Sequence, residues 1–539
     1  MTGAPRLLWA GAIAILALLS FFVAPGHSYL AADSQVYSPI LERLRNPVLL
    51  DRDIVASRPN LAYTWYDEIT LAITDYTGLS LERALEIQHF LCRALGIAGV
   101  FLIAVGLGLD PAAAWFVAAI FSLGMSIEGP ALNTVETEPV PRVFALGMTL
   151  FATGLAISRR FTAAGIAGAI AFLYHGPTAA PFWIVAAASV LRRKSSARMV
   201  APLLPALALL AWLAHSQTGM TESPPLFSRL DAFQEGIQRS VTPYVFVSEW
   251  NSMRVIPLAA ECAIVALALW KLRERLTGPV GDFLVGLPLI GIVALPVSWI
   301  LLEQQHWAAI PQWQPARVTL FIGLIALILS ATRAIVAVGE RRWLEGAGWM
   351  IVAFVLPLKT ALITWSSIPV AIALVVSLAG LGFAGALFMR QTRGISLAAA
   401  LFPFLAIRAS GVAPTPRVET MELDQLAQWA REQTPEDAVF LFTDFGHGGE
   451  PGVFRERALR AVYIDWRTRG HVGHFPAFAA EWSRRWRDSQ QGRWKPSRED
   501  LPKIWDMNAD FAIVPVADAI PRQPEAFRNS AFVVYRAAP

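Results

Sequence analysis

A chain of 539 residues that is 55% hydrophobic and only 16% charged is not an ordinary soluble protein, in which the charged share is about a quarter. The formal net charge of +4 does not point to nucleic acid, because the arginines stand in short clusters between apolar runs, where they set membrane topology. Cys92 and Cys262 both lie within apolar runs, so no disulfide framework is indicated and both read as packing residues.

Apolar windows of about 20 residues, the length needed to cross about 30 Å of hydrocarbon, recur along the chain. Thirteen are read, over residues 7–24, 90–108, 111–127, 143–157, 163–174, 178–191, 200–215, 255–270, 283–302, 318–336, 348–365, 368–389 and 395–409. The first is longer than a signal-peptide core and reads as an uncleaved anchor, while small residues near Ala31 and Ala32 leave cleavage open. The short windows on either side of His175 suggest a hairpin that stops short of full depth. Orientation follows from the basic residues, which collect on the cytoplasmic side. With the N-terminus inside, Arg159 and Arg160, then Arg192 to Lys194, Lys271 to Arg275, Arg341 and Arg342, and Arg390 to Arg393 all fall on that side.

An odd number of crossings then sends the C-terminal region outside, together with residues 25–89, the loop 128–141 and the turn at His175. Within 25–89, the stretches YSPILERLRNPVLL and LAYTWYDEITLAITDYTG carry apolar residues at helical spacing and read as helices lying along the membrane surface. The tail turns rich in Arg, Asp, Glu and Trp. Helices are expected over 421–433 and 477–490, and strands over 438–443, 461–466, 509–516 and 531–536, the pattern of a small α/β layer domain. The fold class is thus an α-helical polytopic membrane protein of about thirteen transmembrane helices over 1–410, with a small extracytoplasmic α/β domain over 411–539. A bacterial inner membrane suits this arrangement. There is no P-loop, no GxGxxG after a strand and no internal repeat, so ATP-driven and nucleotide-binding readings lose support.

Ionisable residues at membrane depth are costly and face a wet interior or one another. Arg93, Arg142, Arg254, Glu261, Arg317, Lys359 and Arg408 all fall at the outer ends of their windows, His175 at an outer turn, and Glu136 and Glu138 in an outer loop. Any one of them could simply snorkel to the headgroups. The set predicts a polar cavity opening outward, with Asp33, Asp51 and Asp53 on one wall and cations on the others. That pairing suits transfer of a group from a phosphate to a hydroxyl: a carboxylate takes the acceptor's proton and Arg or Lys neutralises the departing phosphate.

These residues resemble a family. A first helix followed by a long outer loop with an early Asp (Asp33) and a second acidic motif, LLDRD (Asp51 and Asp53), looks like the GT-C glycosyltransferases, as do ETEPVPR ending in Arg142 and QWQPAR ending in Arg317. The resemblance implies an inverting membrane glycosyltransferase that takes a sugar from a polyprenyl-phosphate donor to an acceptor not readable from the sequence. It implies Asp33 as the catalytic carboxylate, Asp51 or Asp53 as the second acidic position, and Arg317, Lys359, Arg142 and His175 at the donor phosphate. Glu136, Glu138, Glu261 and Arg408 are supporting candidates. In some members a divalent metal, Mg or Mn, is held by the acidic positions. The chain departs from the family in having no adjacent acidic pair after the first helix and no WWD-like motif in the tail.

Plainer roles compete. Asp33 could N-cap the helix that begins at Ser34, Asp51 and Asp53 could be turn residues paired with Arg52, and Glu136 and Glu138 could serve only to fix Arg142. His447, His471 and His474 lack ligand spacing and read as loop residues. Trp482 and Trp486 in EWSRRW read as domain core or headgroup contacts. The competing functions are a transporter or flippase of lipid-linked or anionic solutes, disfavoured by the lack of paired halves, and a non-catalytic relative of the family.

Overall fold

A computed structural model of the protein describes residues 3–216, 227–363, 368–388, 393–411 and 418–537. The chain enters as α1 (Gly3–Phe22) and then forms the loop helices α2 (Ser34–Arg45) and α3 (Tyr66–Thr77). A run of apolar helices follows: α4 (Leu81–Gly106), α5 (Pro111–Ser122), α6 (Pro141–Ile157), α7 (Phe161–Tyr174), α8 (Gly176–Arg192) and α9 (Leu203–Ser216). After the amphipathic α10 (Ala232–Val241) come α11 (Ser252–Lys271), α12 (Pro279–Ser298), the single turn α13 (Ile310–Trp313), α14 (Leu320–Gly339), α15 (Trp343–Ile363), α16 (Ile368–Phe388) and α17 (Arg393–Ala409). Each apolar window of the sequence coincides with one of these helices, apart from the window ends at 364–365 and 389, which lie outside the described residues.

Length separates the helices. Among the described residues, six are long and apolar enough to cross a membrane, and five shorter apolar helices stand with them. The short ones make up part of the difference from the expected thirteen: α5 has 12 residues and α7 has 14, and at 1.5 Å per residue such helices reach only about two thirds of the hydrocarbon thickness. The centre of the bundle is α14, all of whose hydrophobic window is buried. α4 and α6 pack on each other backbone to backbone through small residues: a Cβ on Gly99 would lie 2.3 Å from the Leu150 carbonyl, and one on Gly147 2.2 Å from that of Cys92.

A short hairpin, β1 (Ser126–Ile127) and β2 (Leu132–Asn133), leads from α5 to α6. The C-terminal domain is a five-stranded sheet in the order β4-β3-β5-β7-β6. Parallel strands β3 (Val439–Phe442), β4 (Ala461–Val462) and β5 (Phe511–Pro515) are continued by the antiparallel β6 (Phe527–Arg528) and β7 (Phe532–Arg536). The interior strand β3 is buried on both faces, as its continuous VFLF run requires. Helices α18 (Met421–Gln433), α19 (Glu450–Ala458), α20 (Pro476–Asp488) and α21 (Leu501–Asp506) pack around it. Trp482 and Trp486 are core of this domain, 1% and 9% exposed.

The sheet domain sits on the loop between α1 and α4. Tyr29 donates to Glu456 at 2.7 Å, Arg52 pairs with Asp510 at 2.8 Å, and Arg58 with Glu481 at 2.9 Å. The basic turns gather at the other end of the bundle, where Lys271 pairs with Glu345 at 3.4 Å, Arg192 with Asp282 at 3.3 Å, and Arg275 donates to the Leu107 carbonyl at 2.8 Å.

Candidate functional site

The site is built on the short segment between α1 and α2. Glu138 is buried, and its Oε2 accepts from the backbone N–H of Ala32 at 3.0 Å and of Ser34 at 2.9 Å, and from the Ser34 hydroxyl at 3.0 Å. It thereby holds the residues on both sides of Asp33. Asp33 is itself helical (φ −70°, ψ −26°), and the N–H groups of Gln35 and Val36 go to the backbone carbonyls of Ala32 and Asp33, so the Asp33 side chain makes no capping hydrogen bond. The capping role weighed from the sequence is therefore excluded. The Asp33 carboxylate turns instead to Arg142, whose Nη1 donates to its Oδ2 at 2.5 Å, and remains 48% exposed.

Arg142 opens α6, and Glu136 grips it from the preceding loop, accepting from Nε at 2.9 Å and from Nη2 at 2.5 Å. That loop is fixed in turn by Arg93, which donates to the carbonyls of Ser20 at 2.7 Å, Gly26 at 2.9 Å and Glu136 at 2.5 Å. Arg93 is therefore a brace buried among backbone carbonyls, not a cavity residue as expected.

Asp33, Glu136 and Arg142 line a cavity of about 1070 Å³, counting the open solvent at its mouth. Tyr37 and Asn60 line it from the loop, and Leu146, Val318 and Phe321 give it an apolar side. His175 lines it from the turn before α8. Its Nδ1 accepts the backbone N–H of Thr178, so the hydrogen of the neutral ring is on Nε2. The QWQPAR segment delivers Arg317: Gln314 adopts a left-handed conformation at φ +45°, Pro315 starts a 3₁₀ turn, and the guanidinium comes to rest 5.4 Å from the Tyr244 ring. Its buried Nε has no partner.

Electrostatics follow from this crowding. Burial raises the Asp33 carboxyl, but Arg142, Arg317 and Arg469 outweigh it and hold Asp33 below its usual value. Burial, then the Asp33 charge, pushes Glu138 up to about 7 against the pull of Arg142 and the Ser34 N–H. Burial and Arg317 hold His474 down at about 4, and burial and His474 hold His471 at about 3, so both rings are neutral at pH 7.

Several expected members lie elsewhere. Asp51 is a surface residue, 67% exposed and paired with Arg43 at 2.8 Å. Asp53 is fully buried and ion-paired with Arg455 at 2.7 Å, while its other oxygen accepts from the N–H groups of Val55 and Ala56 at 3.0 Å. It fastens the sheet domain and cannot meet a ligand. Lys359 pairs with Glu261 at 2.5 Å and Glu128 at 2.8 Å, beside Arg254, in a separate small hollow behind the β1–β2 hairpin. Arg408 is exposed near the end of α17. Carboxylates and cations that the sequence places at one end of the bundle are thus split between a cavity, a domain joint and a buried cluster.

No group of three His, Cys, Asp or Glu side chains among the described residues could hold an ion; Glu136 is paired with Arg142 and Glu138 with backbone N–H groups, which leaves Asp33 as the carboxylate open to the cavity.

The sequence reading missed the contribution of the tail. Arg467, His471 and His474, on a 3₁₀ stretch over Arg467–Gly473 and just after it, line the cavity beside the segment that carries Arg317, where Gln312 donates to the His474 carbonyl at 3.3 Å. The run WRTRGHVGH was the available signal, but nothing local says that it folds back over the membrane helices.

Residues 422–489, which include that run, match a domain of unknown function, DUF6798. No curated protein matches the chain. Among solved structures, ArnT from Cupriavidus metallidurans in the apo state is similar at 13% identity and a TM-score of 0.48, over 98% of this chain and 97% of that one. ArnT from the same organism bound to undecaprenyl phosphate is similar at 13% identity and a TM-score of 0.46, over 99% and 98%. The arabinofuranosyltransferase AftD from Mycobacteria is similar at 15% identity and a TM-score of 0.43, over 95% of this chain and 35% of AftD. TM-scores below 0.5 assign no role to any residue.

Proposed function

We propose that the protein is a membrane glycosyltransferase that moves a sugar from a polyprenyl-phosphate donor to a hydroxyl acceptor, with inversion, on the outer side of the membrane. The observation that carries this reading is one carboxylate open to a cavity that also presents Arg142 and Arg317. Asp33 is ionised at neutral pH and is the general base. As the acceptor oxygen attacks the anomeric carbon, the bond from that carbon to the phosphate oxygen breaks, the hydroxyl proton passes to Asp33, and the electron pair leaves with the phosphate. Arg317 meets that growing charge, and Arg142, already matched by Asp33 and Glu136, orients the base. The apolar side of the cavity suits the first isoprene units of the lipid. No metal step is invoked.

The test is transfer of radiolabelled sugar from polyprenyl-phosphate donors by the purified protein in liposomes. Undecaprenyl phosphate, bound in one ArnT structure, is the first lipid to use. Transfer that is lost in Asp33→Asn with folding intact supports the proposal. Solute flux without transfer supports the transporter reading, and neither supports a non-catalytic protein.

A further inference from the structure

The C-terminal domain puts a second unmatched guanidinium into the cavity. Arg467 lines it together with Arg317, and in both residues the buried Nε has no hydrogen-bond partner. Neither forms an ion pair among the described residues, although the chain spends carboxylates on Arg142, Arg455 and Arg457 close by. Arg469, two residues on, gives its guanidinium to the carbonyls of Val241 and Trp466, both at 3.1 Å. Two cations at one cavity repel each other, the nearby Asp33 is already bonded to Arg142, and desolvated donors without acceptors cost free energy. An anion between them relieves both costs.

The turn that carries Arg467 is held rigidly. Arg455 bridges Asp53 to Asp465, all three side chains fully buried, and Asp465 Oδ1 accepts the N–H of Thr468 at 3.0 Å. His471 Nε2 donates to the Arg58 carbonyl at 3.0 Å. The first loop and the tail thus lock together so that Arg467 is pre-set over the cavity before any ligand arrives.

We infer that Arg467 and Arg317 form a two-guanidinium clamp for the phosphate of the donor lipid, so that the sheet domain supplies a binding residue of the site. This rests on the proposed function, whose donor carries that phosphate. The planar fork of each guanidinium matches phosphate oxygens, and two forks from separate segments of the chain fix the phosphate's orientation.

The experiment is a titration of the full-length protein in nanodiscs with undecaprenyl phosphate, read by the fluorescence of Trp313, which lines the cavity, and repeated with inorganic phosphate. Arg467→Gln is expected to weaken lipid binding about ten- to hundredfold, the range for a charge-assisted hydrogen bond, with Arg467→Lys recovering part of it and the unfolding temperature unchanged. Arg484→Gln, on an exposed ion pair of the same domain, is expected to bind as the wild type does. If the wild type binds the lipid and Arg467→Gln binds it equally, the clamp is overturned and the proposed function stands. If only inorganic phosphate binds and Arg467→Gln loses it, the anion site stands and its assignment to a donor lipid is overturned. If the wild type binds neither, both are overturned.

Discussion

Arg142 Nη1 donates to Asp33 Oδ2 at 2.5 Å across 109 residues of sequence, joining the loop after the first helix to the start of α6. The same guanidinium is gripped by Glu136, so Asp33 faces a cation whose direction is fixed. This ties the carboxylate's protonation to its orientation. Both follow from one side chain.

Asp33→Asn should lower transfer by about 10²- to 10⁴-fold, the usual contribution of a general base, without loss of fold, because Asp33 caps nothing. Since its folded pKa lies below the usual value, the base stays ionised through the neutral and mildly acid range. The rate should therefore fall only as pH drops below the ordinary carboxylate range. A pH–rate profile with its acid limb near neutrality would remove Asp33 from the role.

Glu138 acts on the base through the backbone. Glu138→Ala frees the Ala32 and Ser34 N–H groups, and a shift of Asp33 by about 1 Å should cost up to about 100-fold in kcat. Glu138→Gln keeps an acceptor oxygen and should retain most activity. Equal losses in the two variants would point to charge and not to placement.

The ion triad of Asp53, Arg455 and Asp465 should dominate the joint between loop and tail. Arg455→Met leaves two buried carboxylates without their cation, a change that costs about 3–5 kcal/mol, and should also expose the tail to proteolysis. Asp51→Ala, at an exposed pair, should cost no more than about 1 kcal/mol. Unfolding curves in detergent compare the two.

Lys359 belongs to the buried cluster behind the hairpin. Lys359→Met should destabilise the protein by about 3–5 kcal/mol through the carboxylates it strands, and leave donor KM within about twofold. A tenfold rise in KM with stability intact would return Lys359 to the donor site.

Burial raises Glu456 to about 8, although the Tyr29 hydroxyl donates to it and pulls the other way. A carboxyl whose folded pKa is raised holds its proton longer in the native state. Its stabilisation is complete below the unfolded pKa near 4.5 and is lost as pH rises through the folded value. Stability should fall between those limits by at most roughly 1.4 kcal/mol per pH unit. Glu456→Gln should flatten that slope, measured by unfolding at several pH values.

The helices were legible because hydrophobic periodicity is local: every apolar window overlaps a helix, although 111–127 is helical only as far as Ser122, and the VFLF run became a buried interior strand. Crossing number was not legible, since the short helices α5 and α7 rest on neighbours that no window reveals. Asp33, Arg142, Glu136, His175 and Arg317 were visible as charges or polar groups at helix ends, and the cavity gathers all five. Asp53 and Lys359 satisfied the same rule and went elsewhere, because the rule gives the end of a helix and not the direction of its side chain.

The sequence by itself determined a membrane-spanning helical chain with a sheet-forming tail and its charges drawn toward one end. Burying a charge is costly along an apolar helix, so the positions of the ionisable residues in the sequence place them at helix ends and in loops. The tertiary structure alone decided which carboxylate stays open, which ones are consumed by Arg142 and Arg455, and that the tail reaches over the cavity with Arg467. Those outcomes depend on pairings across hundreds of residues, where each cation takes whichever partner the packing brings within hydrogen-bonding reach.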